Sequence, residues 1–139
     1  MRLELADFAG RWRIRRRIDD HLAGQVARFE GLAEMQPAAT MPWLWVETGE
    51  LRLGDAAPMS AERRYLWAQE GGRIRVRFPD GRAFHDFSAT SLEAAHWCEP
   101  DDYRVRYDFG AWPAWQAQWR VRGPRKDYTL LSEYERVAP

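Results

Sequence analysis

The chain has 139 residues, the size of one domain, and carries 21 basic and 21 acidic side chains. Because the net charge is +0, the overall charge gives no reason to expect nucleic acid or an anionic membrane as a partner. Its content of 45% hydrophobic and 30% charged residues excludes a disordered chain. We therefore predict a single globular domain over residues 1–139, with neither of these partners.

The N-terminal segment and the cysteine content bear on the cellular compartment. Residues Met1–Asp7 contain no apolar run, so we expect no secretory signal. No segment approaches the ~20 apolar residues of a membrane-spanning helix. Cys98 is the only cysteine, which rules out an intramolecular disulfide and fits a reducing environment. We predict a cytoplasmic protein, and the sequence leaves its oligomeric state open.

Apolar and polar residues alternate with a period of two between closely spaced turn signals, which is typical of half-buried strands. The first strand puts Arg16 on the same face as Trp12 and Ile14. Any helix is short and lies at Arg2–Ala9 or Ser91–His96. In chain order, the clearest predicted strands are Arg11–Asp20, Gln25–Met35, Trp43–Leu53, Glu62–Gln69, Arg73–Phe78, Tyr103–Phe109, Trp115–Arg122 and Lys126–Val137.

The number of strands and their short connections predict an all-β fold. Eight to ten antiparallel strands in a meander close into an up-and-down barrel, which removes exposed strand edges. A sandwich of two sheets is the alternative. A closed barrel of this size encloses an interior in which a ligand can sit. Fold and candidate function are therefore linked through the inward-facing side chains.

The opening motif Phe8-x-Gly10-x-Trp12 resembles the start of lipocalin and calycin barrels. This resemblance implies that Trp12 closes one end of the barrel and that Arg136, near the C-terminus, stacks over it. A guanidinium above an indole is a cation–π contact that would join the two chain ends. The short hairpins look closer to those of intracellular fatty-acid-binding and nitrobindin-like barrels. The iron-ligating histidine of nitrobindin-like barrels has no counterpart after His96, so no haem is expected.

Nearly the whole chain also resembles a family of uncharacterised bacterial proteins. The resemblance implies a lipocalin-like barrel and assigns no activity. The stretches that carry it are Gly10-Arg11-Trp12, Asp80-Gly81-Arg82-Ala83-Phe84-His85, His96-Trp97-Cys98 followed by Asp102-Tyr103, and Trp119 to Tyr128.

Arg16 is the most unusual residue on the predicted inward faces, because a buried charge needs a partner. It can form an internal ion pair with Glu30 or Glu34, reach out through the barrel mouth, or bind a ligand carboxylate or phosphate. The eight tryptophans either fill the core or line a pocket. The predicted ligand-binding residues are Arg16, Phe29, Tyr65, Trp67, Tyr103, Tyr107, Trp119, Ser132 and Tyr134.

Three functions remain open, and none requires a metal or another cofactor. The first is binding of a small apolar or aromatic molecule, with or without a carboxylate, inside the barrel. The second is an enzyme in which His85 or His96 acts as acid or base and Tyr103 or Tyr107 orients the substrate. The third is an interaction protein that uses the arginine-rich exterior.

The position of His85 is undecided. A two-residue turn at Asp80-Gly81 points His85 inward, whereas a type I turn with a bulge at Pro79-Asp80-Gly81 points Asp86 inward.

Overall fold

The computed structural model describes residues 2–138 and contains one antiparallel sheet of ten strands that curls into a nearly closed barrel. All ten strands belong to this one sheet, so the predicted barrel of eight to ten strands is confirmed and the sandwich is not. The strands are β1 (Gly10–Asp20), β2 (Gln25–Met35), β3 (Trp43–Leu53), β4 (Met59–Glu70), β5 (Arg73–Arg77), β6 (Ala83–Phe87), β7 (Glu93–Cys98), β8 (Asp101–Asp108), β9 (Trp115–Arg122) and β10 (Asp127–Arg136).

Neighbouring strands pair in the order β6-β5-β4-β3-β2-β1-β10-β9-β8-β7, so the first and last strands of the chain lie side by side. The two edge strands of the sheet, β6 and β7, face each other across the remaining gap, and the turn that connects them holds an isolated bridge between Ser88 and Ser91. Because successive strands run in opposite directions, the turns fall alternately at the two ends of the barrel. Every strand thus contributes inward side chains to one common interior.

The two expected positions for a short helix have different outcomes. A 3₁₀ helix at Leu5–Phe8 lies within the Arg2–Ala9 segment. A helix at Ser91–His96 is wrong, because Glu93–Cys98 form β7 and pair with β8. The local helix propensity of Leu-Glu-Ala-Ala is overridden by the backbone hydrogen bonds that pairing with β8 supplies. Within residues 2–138, no helix is long and apolar enough to cross a bilayer.

Trp12 lies at the end of the barrel where the chain begins and ends. Its indole is fully buried and donates a hydrogen bond from Nε1 to the carbonyl oxygen of Phe8, at 3.0 Å. The Arg136 guanidinium lies 4.1 Å from the ring centroid of Trp12. Arg136 also donates to the carbonyl oxygens of Asp7, at 2.7 Å, and Ala9, at 2.8 Å. These contacts close this end of the barrel and fasten both chain ends to it.

Candidate ligand-binding cavity

The barrel encloses a cavity of about 530 Å³. At one end of the barrel the cavity is lined by Phe78 and Arg82, beside the β5–β6 turn, and by Trp97 and Cys98, at the end of β7. By strand direction, these positions are at the end of the barrel opposite Trp12. Trp97 is 62% exposed, so this end communicates with solvent. The cavity therefore has a closed floor and an open mouth.

The walls of the cavity are predominantly aromatic. Trp45 stacks on Trp67 with ring centroids 4.7 Å apart, and Phe84 stacks on Trp119 at 5.0 Å. Flat aromatic faces of this kind suit a planar or apolar ligand, because aromatic side chains offer a large apolar contact area and lose little conformational freedom on binding. The aromatic lining residues are Trp45, Tyr65, Trp67, Phe78, Phe84, Trp97, Tyr103, Tyr107, Trp115, Trp119, Tyr128 and Tyr134.

The structure brings most of the predicted ligand-binding residues to this cavity, but not all of them. Those that line it are Arg16, Tyr65, Trp67, Tyr103, Tyr107, Trp119 and Tyr134. Phe29 and Ser132 are buried and belong to the wall behind Arg16. The Phe29 ring lies 5.2 Å from the guanidinium carbon, and Ser132 Oγ accepts a hydrogen bond from Arg16 Nε at 2.7 Å. These two residues hold Arg16 in place and do not line the cavity.

The partner of Arg16 is Glu47, which sequence reasoning missed. Arg16 Nη1 donates to Glu47 Oε1 at 2.9 Å, and both side chains are buried. The second carboxylate oxygen of Glu47 accepts from Trp45 Nε1 at 3.0 Å, and Arg16 Nη2 donates to Tyr134 Oη at 3.2 Å. A signal was present in the sequence, because Glu47 follows Trp45 by two residues and so shares its inward face.

Glu30 and Glu34 are not the partners of Arg16. In the β1–β2 register, Glu30 lies opposite Arg15 and Glu34 lies opposite Arg11. Arg11 and Arg15 alternate with the inward residues of β1 and therefore face out of the barrel. Residues directly opposite each other on neighbouring strands point to the same side of the sheet, so Glu30 and Glu34 also face out. The carboxylates of β2 are thus outside the barrel, and the internal acid comes from β3 instead.

The Arg16–Glu47 pair is ionised on both sides. Burial raises the pKa of Glu47, but the charge and hydrogen bond of Arg16 outweigh it and hold the net pKa below the ordinary value. Burial lowers the pKa of Arg16, but Tyr134 and Glu47 raise it by more than burial lowers it. The net pKa lies above the ordinary value, so the guanidinium stays protonated. Glu47 occupies the place where a ligand carboxylate would meet Arg16. The charge of Arg16 is therefore matched within the protein and leaves no free cation to anchor an acidic ligand.

A bulge decides which way His85 points. The Phe78 amide donates to the Arg82 carbonyl at 2.9 Å, as expected for the three-residue turn. Arg77 then pairs with Ala83, but Val76 pairs with His85, so Phe84 is an extra residue in β6. Both Phe84 and His85 consequently face the cavity.

Asp86 lies on the other side of the strand. It accepts hydrogen bonds from Arg73 on the neighbouring β5. The turn is the three-residue one that was predicted to point Asp86 inward, but the extra residue Phe84 shifts the register by one and directs His85 inward.

His85 is neutral inside the barrel. Its Nε2 lies 2.7 Å from Tyr107 Oη, and burial lowers the pKa of His85 to about 3. Burial also raises the pKa of Tyr107 well above its ordinary value, so the phenol keeps its proton. Neither group carries a charge near neutral pH. At the mouth, His96 packs against Phe84 with ring centroids 5.3 Å apart.

The half-buried, neutral His85 is expected to make stability fall in mild acid. In the unfolded chain His85 takes up a proton near pH 6.5, whereas in the folded chain it does so only near pH 3. The contribution of neutral His85 to the stability of the fold is therefore fully present above pH 6.5 and is lost as the pH falls towards 3. Between pH 6.5 and 5 the free energy of unfolding should drop by about 1–2 kcal/mol through this group.

Urea denaturation of the parent and of His85→Gln at both pH values measures this loss. The variant should lose less stability than the parent, and His21→Gln, at the exposed β1–β2 turn, should behave like the parent. An equal loss in all three proteins would contradict the assignment.

Residues 8–136 match a family of unknown function, DUF6314. The chain belongs to this family. None of the curated proteins compared with it matches. Among solved structures, this DUF6314 member is similar to an S-type phycobiliprotein lyase from Guillardia theta, with a TM-score of 0.63 at 10% identity over 96% of this chain and 90% of that one. It is also similar to a de novo designed fluorescence-activating β-barrel, with a TM-score of 0.46 at 12% identity over 95% of each chain.

The likeness to the lyase agrees with the barrel fold of this DUF6314 member and extends no further than the fold. Within residues 2–138, no group of three or more His, Cys, Asp and Glu side chains is arranged to hold a metal ion. The outer arginines are balanced locally by acids, as in the Arg17–Asp19 and Arg104–Asp102 pairs, both at 3.0 Å. This pairing makes the exterior a mixed-charge surface.

Proposed function

We propose that this barrel binds a small, flat and largely apolar molecule in the cavity below its open end. The observation that carries the proposal is a cavity of about 530 Å³ with a predominantly aromatic lining. Pockets for small molecules have volumes of roughly 300–1,000 Å³ and apolar walls with a few polar groups. A core packed only for stability would leave no opening of this size. The ligand would enter at the mouth and lie between the aromatic walls.

Polar atoms without partners in the cavity walls indicate that the ligand carries hydrogen-bonding groups. Among the described residues, three buried nitrogens have no partner: Trp67 Nε1, Trp115 Nε1 and His85 Nδ1. All three side chains line the cavity. Buried polar atoms are almost always hydrogen-bonded, to protein, water or ligand. An indole N–H can only donate, so a carbonyl or similar acceptor on the ligand would complement the two tryptophans.

The two alternative functions have less support. Both His85 and His96 line the cavity, as an enzyme would need. A His85 pKa of about 3 makes this residue a poor proton donor near neutral pH and a weak base. Association driven by the outer arginines would be favoured by a surface field of one sign, whereas these arginines are interspersed with acids. Ligand binding therefore explains more of the structure than either alternative.

The neutral dye N-phenylnaphthylamine, which fluoresces in apolar surroundings, tests the proposal directly. We expect saturable binding to the parent protein and at least a tenfold weaker affinity for Ala117→Phe, because Ala117 lines the cavity and the added ring would occupy it. Gln118→Phe places the same ring on the exposed outer face of β9 and should bind like the parent.

Circular dichroism would verify that each variant is folded. Absence of saturable binding, or equal affinity in all three proteins, would contradict an internal site. Native mass spectrometry of undenatured protein would then identify any ligand that copurifies.

A further inference from the structure

The cavity mouth holds an arginine that the sequence analysis did not select. Arg63 shares the inward face of β4 with Tyr65 and Trp67, and all three line the cavity. Its Cα pairs across the strands with that of Glu47. The Arg63 side chain is exposed, whereas Glu47 opposite it is buried. Arg63 therefore belongs to the inner wall at the level where a ligand would meet water.

Among the lining arginines within residues 2–138, Arg63 is the one that forms no ion pair, although its charge also helps to lower the pKa of Glu47. Glu47 lies opposite, but its oxygens accept from Arg16 and Trp45. The other arginine at the mouth, Arg82, pairs with Asp80 at 2.7 Å. The charges around the cavity thus sum to one uncompensated positive charge at the rim, which favours an anionic group there.

Two phenols without side-chain partners line the same cavity as Arg63. Tyr65 precedes the floor residue Trp67 on the same inward face, and Tyr128 lines the wall from β10. Burial raises the pKa of Tyr128 while the Arg63 charge lowers it, which indicates that the guanidinium acts on this hydroxyl. Neither phenol makes a side-chain hydrogen bond within the described residues. A guanidinium with hydroxyl donors nearby is a suitable set for an oxyanion.

We propose that Arg63 binds an oxyanion of the ligand at the cavity mouth, so that the ligand class is a flat aromatic acid, such as a carboxylic acid, that enters ring first. The inference rests on the proposed function. The aromatic walls below would hold the rings, and the acidic group would stay near solvent, where its desolvation is least costly. Arg63 thereby takes the role that the sequence analysis had considered for Arg16.

Two dyes with the same ring system test this assignment. Anilinonaphthalene sulfonate carries an anionic group, whereas N-phenylnaphthylamine lacks it. We expect Arg63→Gln to weaken binding of the sulfonate about five- to tenfold and to leave binding of the neutral dye unchanged within twofold. Added salt should weaken sulfonate binding to the parent more than binding to the variant.

Arg64→Gln is the matched control, because Arg64 faces outward on the same strand and pairs with Glu62 at 3.3 Å. It should bind both dyes like the parent, and Arg63→Lys should keep part of the sulfonate affinity. The neutral dye reports on the integrity of the cavity in each variant. An unchanged ratio of the two affinities in Arg63→Gln would overturn the inference while leaving the proposed function intact. Failure of both dyes to bind the parent would overturn both.

Discussion

Glu47→Gln is expected to lower the free energy of unfolding by about 3–5 kcal/mol, because it leaves the buried charge of Arg16 without its counter-ion. Both side chains are about nine-tenths or more buried, and Arg16 makes three hydrogen bonds to Glu47, Ser132 and Tyr134. Only the bond to Glu47 carries an opposite charge. Denaturation in urea at neutral pH, followed by tryptophan fluorescence and by circular dichroism, measures the loss.

The matched control for this substitution is Glu50→Gln on the exposed face of the same strand, which should change stability by no more than about 0.5 kcal/mol. A double variant, Arg16→Met with Glu47→Leu, should recover much of the loss, since apolar pairs of similar volume often replace buried ion pairs without cost. A Glu47→Gln protein as stable as the Glu50→Gln control would contradict the importance of the pair.

The Arg16–Glu47 ion pair is expected to make a second acid-sensitive contribution to the free energy of unfolding. The pKa of Glu47 is depressed in the folded state, so its contribution is fully present above the ordinary value of 4.5 and is lost as pH falls through the lower folded pKa. This loss begins at lower pH than the loss from His85. In Glu47→Gln the stability should therefore vary less with pH below about 4.5 than in the parent.

Trp12→Ala is expected to destabilise the barrel by about 3–5 kcal/mol, the usual cost of removing a large buried aromatic side chain. Trp12 is fully buried, packs against Trp112 with ring centroids 5.7 Å apart, and lies under the Arg136 guanidinium. Its removal leaves a void at the closed end and removes the cation–π contact. Urea denaturation again provides the measurement.

Trp97→Ala is the matched control for Trp12, because it removes the same side chain from a 62% exposed position at the mouth. Its effect on stability should stay within about 0.5 kcal/mol. The loss of stability in Trp12→Phe should lie between the losses in Trp12→Ala and Trp97→Ala, since the phenylalanine ring preserves part of the packing. Equal effects of Trp12→Ala and Trp97→Ala would show that the closed end does not depend on the buried indole.

The sequence by itself located eight of the ten strands, all but β6 and β7, because period-two alternation is a local property of each segment. β2 and β3 have the predicted bounds, and the inward face of β4 carries Tyr65 and Trp67 as predicted. The local pattern failed at 91–96, where propensity favoured a helix and pairing with β8 decided for a strand. Alternation also marked Arg16 as an inward charge that needed a partner.

Only the tertiary structure decided which inward residues meet. Glu47 reaches Arg16 across the intervening β2, and this depends on the register of three strands and on the curvature of the barrel. The extra residue Phe84 sets the direction of His85 through a bulge that turn chemistry alone did not reveal. The open mouth, the cavity volume and the uncompensated Arg63 arise from the same closure. A sequence pattern specifies the face of each side chain, whereas neighbours across the barrel are set by how all ten strands close together.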